Sequence, residues 1–342
     1  MSGCIVQQRV WCFDMAIVLN VGDPHAVPEE LDDCRALAGY ILDVARRERV
    51  DRVHFAGDMH HTHALVHIGV VLFWKEFFRD LLTAGFKVSA QVGNHDRAGD
   101  GSAQAHALLS YPEITVINEP LVLDGVLYLP YYDDNDEFVA ACRRYSECSV
   151  AFVHQTFNGA TYENGIYAQD GVDPNLIPQE TIISGHIHTP QKFGKVWYIG
   201  APRWRTASDA NVARAIWITE HADDGRVVNC RSFDTGGVCR RLFRFVETPD
   251  QLIQLPSDLR LGQDRVMVDL RDPTEFIEAR KVVWTTAGAQ YRTFRTDRAA
   301  PKVRESDGID QAFDRFLGVY SPRNGTERTK LQQMARERVF GR

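Results

Sequence analysis

No C-x-x-C pair occurs among the seven cysteines of this 342-residue chain, which removes the usual zinc cage and the dithiol redox motif. The cysteines are odd in number and scattered, so reduced thiols in a cytosolic setting are expected. No apolar run reaches the roughly 18 residues of a membrane span, and no charged stretch followed by an apolar core opens the chain. A cytoplasmic protein with no membrane partner is the expectation. Tandem repeats and low-complexity segments are also missing. Positive charge is scarce: 39 Lys and Arg stand against 46 Asp and Glu, a net of −7. Coating nucleic acid by bulk attraction is thereby disfavoured, although a local basic strip could still follow a phosphate backbone. What remains, 44% hydrophobic and 25% charged, is ordinary for a globular chain long enough for one large core and a smaller second one.

Alternating apolar runs and helical periodicities give the order of elements. A strand at 16–21 follows Met15, which makes residues 1–14 a peripheral N-terminal extension. Strands at 52–56 and 86–92 alternate with helices beginning at Pro28 and spanning about 64–84. The second of these helices is apolar on more than one face, as expected of a helix that meets both a core and another subunit. After a short helix near 103–109 the pattern becomes strand-rich, with Asp124-Gly125 as a hairpin turn and strands ending at 153 and 184. A change of character near 250 suggests a linker, followed by a small β-α-β unit. Two short helices close the chain, the first with Ile309, Phe313, Phe316 and Tyr320 on one face.

Five polar motifs stand just after strands: Asp23 with His25, Gly57-Asp58, Gly93-Asn94-His95-Asp96, His154, and Gly185-His186-Ile187-His188. Singly, each is equally a turn, a helix cap or a satisfied histidine. As a set at successive strand ends they are improbable as independent turns. If those strands share one sheet, all five motifs reach one edge, where ligands of open α/β sheets collect. Carboxylates, imidazoles and an amide oxygen without thiolate suit manganese, iron or zinc, with magnesium also possible. They are too many for one ion, and a carboxylate such as Asp58 can bridge two. Asp96 is expected to orient an imidazole and not to bind metal itself. His54, His63, His67, His106 and His221 are assigned by default to structural or surface roles.

In this order the motifs resemble the calcineurin-like metallophosphoesterase superfamily, over roughly residues 16–220. The resemblance implies an α/β fold, a four-layer metallophosphoesterase sandwich, with two divalent ions, most readily Mn2+. It assigns Asp23, His25, Asp58 and His188 to one ion and Asp58, Asn94, His154 and His186 to the other. His95 would face the leaving oxygen. His61, three residues after Asp58, together with Tyr198-Ile199-Gly200-Ala201-Pro202, is similar to the SbcD-type DNA repair nucleases, including phage recombination subunits. Protein phosphatases of the superfamily resemble G-D-x-x-D-R-G and G-N-H-E instead.

On this resemblance the domains are 15–247 (nuclease), 258–304 (small C-terminal DNA-capping β-α-β domain) and 305–342 (helical tail). The implied partners are DNA, an SbcC-type ATPase subunit docking on the tail, and a second copy of the chain meeting the helices at 64–84 and 103–109. Residues 280–304 hold seven basic side chains against the single acid Asp297. With Trp284, Tyr291 and Phe294 interleaved, they form a candidate DNA strip; a solvated strand face is the alternative. Lys192, Lys195, Arg203 and Arg205 offer a second contact surface. A stand-alone phosphatase or nucleotide phosphodiesterase, or a scaffold without chemistry, stays open.

Overall fold

The computed structural model describes residues 15–294 except 64, 99–104, 163–164, 261–262 and 272–273. The expected extension at 1–14 and the tail at 305–342 lie outside the described residues. The chain divides into two compact units, Met1–Arg244 with Asp258–Arg265, and Phe245–Ser257 with Val266–Arg342.

The first unit starts as a β-α-β-α-β run: β1 (Ala16–Val21), α1 (Leu31–Glu48), β2 (Arg52–Phe55), α2 (Ile68–Thr83) and β3 (Lys87–Gln91). β4 (Thr115–Ile117) adds to the same sheet, as do the later strands β11 (Ala215–His221) and β12 (Val227–Asp234), in the order β12-β11-β1-β2-β3-β4. β1 to β4 pair in parallel, while β11 runs antiparallel to β1 and β12 to β11. The hairpin of β5 (Leu121–Leu123) and β6 (Val126–Tyr128) begins a second sheet. Its turn is made by Asp124 at φ 52° and Gly125 at φ 76°, the pair of positive angles that a type I′ turn needs. After α3 (Asn135–Arg144) come β7 (Val150–Val153), β8 (Thr181–Ser184), β9 (Gln191–Phe193) and β10 (Val196–Tyr198), giving the order β5-β6-β7-β8-β10-β9.

The two sheets bury their inner faces against each other, Ala56 and Ile117 from the first meeting Val126, Tyr128, Phe152 and Ile183 from the second. Side chains alternate along β2. Phe55 faces α2, with ring centroids 5.5 Å from Trp74 and 5.7 Å from Phe78, while His54 turns inward to Tyr128 at 4.7 Å. Phe138 and Val139 of α3 share a cluster with Leu127, Ala151 and Val153 on the outer face of the second sheet. The result is a mixed α/β sandwich of four layers, helix, sheet, sheet, helix. Between the sheets Gln91 donates to the carbonyl oxygens of Leu129 (2.5 Å) and Phe152 (3.0 Å), a polar tie in an apolar interior.

Three expectations change. The motif-bearing strands do not share one sheet: β1 to β3 lie in the first sheet, β7 and β8 in the second. The helix expected from residue 64 begins at Ile68, and the one expected at 103–109 is a 3-10 turn at Ala107–Ser110, with 103 and 104 outside the described residues.

The second unit carries a three-stranded sheet, β13 (Leu242–Glu247), β14 (Arg265–Arg271) and β15 (Gln290–Phe294), with α4 (Thr274–Thr286); the unit boundaries fall within β13 and at the start of β14. β13 was not expected from the sequence. Its Glu247 is buried, 2.6 Å from Arg280 Nη2, and accepts from Trp284 Nε1. Trp284 is only 3% exposed and Lys281 pairs with Glu278 at 2.7 Å. The expected basic and aromatic strip therefore loses Arg280 and Trp284 to internal bonding. Tyr291 and Arg292 remain exposed. Arg295, Arg298, Lys302 and Arg304 lie outside the described residues.

Candidate metal centre

The loops after β1, β2, β3, β7 and β8 bring Asp23, His25, Asp58, Asn94, His154, His186 and His188 together. His25 Nε2 lies 2.9 Å from His188 Nε2 and 3.6 Å from Asp58 Oδ2. Asp58 Oδ2 lies 3.3 Å from His154 Nε2. Asn94 Oδ1 stands 3.2 Å from His154 Nε2 and 2.9 Å from His186 Nδ1. Among the described residues, Asp23, His25 and Asp58 form one group able to hold a cation and Asp58, His154 and His186 another, each with ligand atoms within 4.8 Å of one another. Asp58 is common to both.

This donor set fits divalent cations on its own chemistry. His154 donates Nδ1–H to the Ala56 carbonyl at 2.7 Å, so Nε2 is the nitrogen turned to Asp58 and Asn94. Asp23 Oδ2 is buried with no hydrogen-bond partner, an arrangement that costs free energy unless a positive charge meets it. Asp23 Oδ1 in turn accepts from the His186 backbone N–H at 2.8 Å. His188 Nδ1 faces Asp209 Oδ1 at 3.4 Å, and Arg214 holds that carboxylate at 2.8 Å. A carboxylate behind an imidazole fixes its tautomer and orientation toward a metal.

Backbone strain marks the same loops. Of six non-glycine residues with positive φ among the described residues, three are His25 (44°), Asp58 (50°) and His186 (78°). Such angles cost of order 1–3 kcal/mol each and persist where surroundings enforce them. At Gly93 the requirement is space and not angle, since an added Cβ would lie 2.2 Å from Asp58 Oδ1. Asp96 accepts from the backbone N–H groups of His60 (2.9 Å) and Gly93 (3.1 Å). Instead of the imidazole expected of it, Asp96 orients these two loops.

Burial and mutual charge set the protonation. Burial alone would raise the Asp58 carboxyl, but His154 and His25 hold it well below the usual carboxylate range. Burial works to lower His154, yet Asp58 and Asp23 overcome it and push it up to about 9. That proton sits on Nε2, so protonation and metal ligation of His154 compete. Burial, then the Asp58 charge, raises Asp96 to about 7. His186 falls to about 3, through burial and then His154.

Around the rim, His95 donates its backbone N–H to Asp58 Oδ1 (2.8 Å) and its Nδ1–H to the His61 carbonyl (2.6 Å). His61 and His63 both stack on His95, at 5.3 and 4.1 Å. His63 is thus more than a surface histidine, and the His60-His61-Thr62-His63 run is the sign of it in the sequence. Burial, then Arg205, lowers His61 to about 4. Tyr131 lies 5.7 Å from His186. Asp209 and Tyr131 are additions that only the structure supplies. Arg203 is not a surface contact: it is 1% exposed and donates to the carbonyls of Pro24 (2.7 Å) and His25 (2.6 Å) and to Glu30 (2.6 Å). His54 is buried against Ser89 and Gln91, in the structural role expected of it.

No family model matches the sequence and no curated protein does. In structure the chain is similar to a novel archaeal phosphodiesterase (12% identity, 64% of this chain and 99% of that one, TM-score 0.33). It is similar also to TT1561 of Thermus thermophilus (12%, 64% and 99%, 0.38). A third likeness is to GAP50, the anchor in the inner membrane complex of Plasmodium (11%, 66% and 90%, 0.36). At such low identities and TM-scores these likenesses bear on neither activity nor partners, and the chemistry rests on the site's own geometry.

Proposed function

We propose that this chain is a metal-dependent phosphodiesterase and, more narrowly, a DNA nuclease of the SbcD type. The observation that carries the first step is two cation-binding groups sharing Asp58, with the imidazoles of His95 and His61 beside them. Divalent ions held there would supply an activated water and neutralise charge developing on a phosphoryl group. Asp23, His25, Asp58 and His188 would hold one, and Asp58, Asn94, His154 and His186 the other. His95, anchored through its backbone to Asp58 and through Nδ1 to the His61 carbonyl, keeps Nε2 for the leaving oxygen. With both ring nitrogens protonated, His95 would give that oxygen its Nε2 proton, or a hydrogen bond from it, as the bond from phosphorus to the oxygen breaks.

The narrower step is supported by His61 three residues after Asp58, by the Tyr198-Ile199-Gly200-Ala201-Pro202 stretch, and by exposed Tyr291 and Arg292 on β15. DNA, an SbcC-type ATPase docking on residues 309–320, and a second copy meeting α2 are the partners this reading takes. Burial of Trp284 and the pairing of Arg280 favour one alternative, a phosphodiesterase or phosphatase of small substrates. The test is purified protein with Mn2+ on linear duplex, hairpin and single-stranded DNA, beside bis(p-nitrophenyl) phosphate and p-nitrophenyl phosphate, with and without the ATPase. Cleavage of DNA and the diester is expected. Hydrolysis of the monoester alone would replace the nuclease with a phosphatase, and no turnover with bound metal would leave a scaffold.

A further inference from the structure

Glu30 Oε2 accepts from Arg203 Nη1 at 2.6 Å and from Arg205 Nε at 3.2 Å, and Arg205 Nη1 stands 2.9 Å from His61 Nδ1. A guanidinium has five N–H donors, no acceptor, and stays protonated in proteins. The ring atom it meets must therefore be a lone pair. We propose that Arg205 is a positioning residue for His61: by donating to Nδ1 it holds the proton on Nε2, so that His61 offers the site an N–H donor and not a metal-ligating lone pair. The opposite tautomer would set a ring N–H against a guanidinium N–H at hydrogen-bond distance.

A third group of imidazoles follows the same logic. His25, His61 and His95 bring ring nitrogens within 4.8 Å of one another, close enough to suggest another ion. With Nδ1 taken by Arg205, Nε2 is the nitrogen His61 has left for that group, and as N–H it ligates nothing. His61 is then a hydrogen-bond donor beside the two-cation site, and the trio is not a third ligand set. The use of that donor rests on the phosphodiesterase reading, in which it meets an anionic phosphoryl oxygen. The tautomer does not depend on that reading.

Long-range 15N–1H correlation on protein with labelled histidine reads the tautomer directly, His61 being identified by the signals lost in His61→Gln. Spectra are taken metal-free and with Mg2+, which adds no paramagnetic broadening. We expect an unprotonated Nδ1 and a protonated Nε2 in the wild type, and tautomer averaging in Arg205→Met. Glu30→Gln, which keeps a weaker acceptor for Arg205, shifts the signals the same way by less and covers the case where Arg205→Met does not fold. In hydrolysis of bis(p-nitrophenyl) phosphate, Arg205→Met should lose about 10- to 100-fold in kcat, and the double variant with His61→Gln no more than His61→Gln alone. A protonated Nδ1 in the wild type, or losses that add, would overturn the assignment. If the wild type hydrolyses no diester with any metal, the functional reading falls, while the tautomer still decides the role of Arg205.

Discussion

Gly93 is held to glycine by distance, because its missing Cβ is the room that the Asp58 carboxylate occupies. Gly93→Ala should displace Asp58 from between the two cation groups. Bound Mn2+, measured after dialysis, should drop below two equivalents, and stability should fall by roughly 1–3 kcal/mol as for other overpacked sites. Full occupancy in the variant would contradict the close approach. His54 shows the opposite use of an imidazole, neutral and sealed between the sheets. Burial lowers its pKa from 6.5 to about 3. Between those values the unfolded chain binds a proton that the folded one refuses. The stability contribution is therefore complete above about pH 6.5 and declines as pH falls toward 3, by up to roughly 5 kcal/mol from linkage. Urea midpoints on metal-free protein should fall less steeply with acidification in His54→Gln than in the wild type, even if that variant starts lower at pH 7. Parallel slopes would show that His54 titrates normally.

The element that most constrains the centre is the loop after β10. Arg203 in that loop reaches the carbonyls of Pro24 and His25, and so braces the left-handed turn that aims His25. Its charge is met by Glu30 at 2.6 Å and Asp33 at 3.6 Å. Arg203→Met takes the guanidinium donor from the Pro24 and His25 carbonyls and leaves Glu30 with Arg205 as its nearest cation. The loss of one partner of a buried pair costs about 3–5 kcal/mol. Calorimetry should show that loss, and metal titration a weakened site. A variant that binds Mn2+ like the wild type would show that the turn needs no brace. The sequence placed Arg203 among surface contacts because arginine beside a ligand motif reads as cationic exposure. Only the packing of the loop against α1 reverses its direction.

For the whole molecule, two measurements bear on the functional reading. Mn2+ that binds only the folded state must stabilise it, by about 2.7 kcal/mol at a hundredfold excess over Kd, which for a chain of this size raises Tm by on the order of 5 °C. EDTA should reverse the rise, and Asp58→Asn should abolish it; a Tm insensitive to metal would remove the cation site. α2 buries Val70, Phe73, Trp74, Phe77, Phe78 and Leu81, yet leaves Ile68 77% and Leu72 55% exposed. Apolar side chains left in water on one helix mark an interaction surface, and the proposed nuclease seats a second copy there. Sedimentation of the wild type should give a dimer, and Ile68→Glu with Leu72→Glu a monomer of unchanged fold. A wild type that sediments as a monomer would remove the homodimer.

By itself the sequence determined the strand ends, the hairpin turn and which side chains cluster at them. Apolar alternation, turn glycines and short motif spacing act over a few residues, and they are visible without a fold. The α/β class and the candidate ligands were legible for that reason. Tertiary structure alone decided that two sheets meet at the site, that Asp209 stands behind His188, that Arg205 reaches His61, and that Trp284 turns into its own unit. His25 and His188 are 163 positions apart, and Asn94 and His186 are 92 apart. Contacts over such separations depend on which strand joins which sheet, and local periodicity carries no record of that choice.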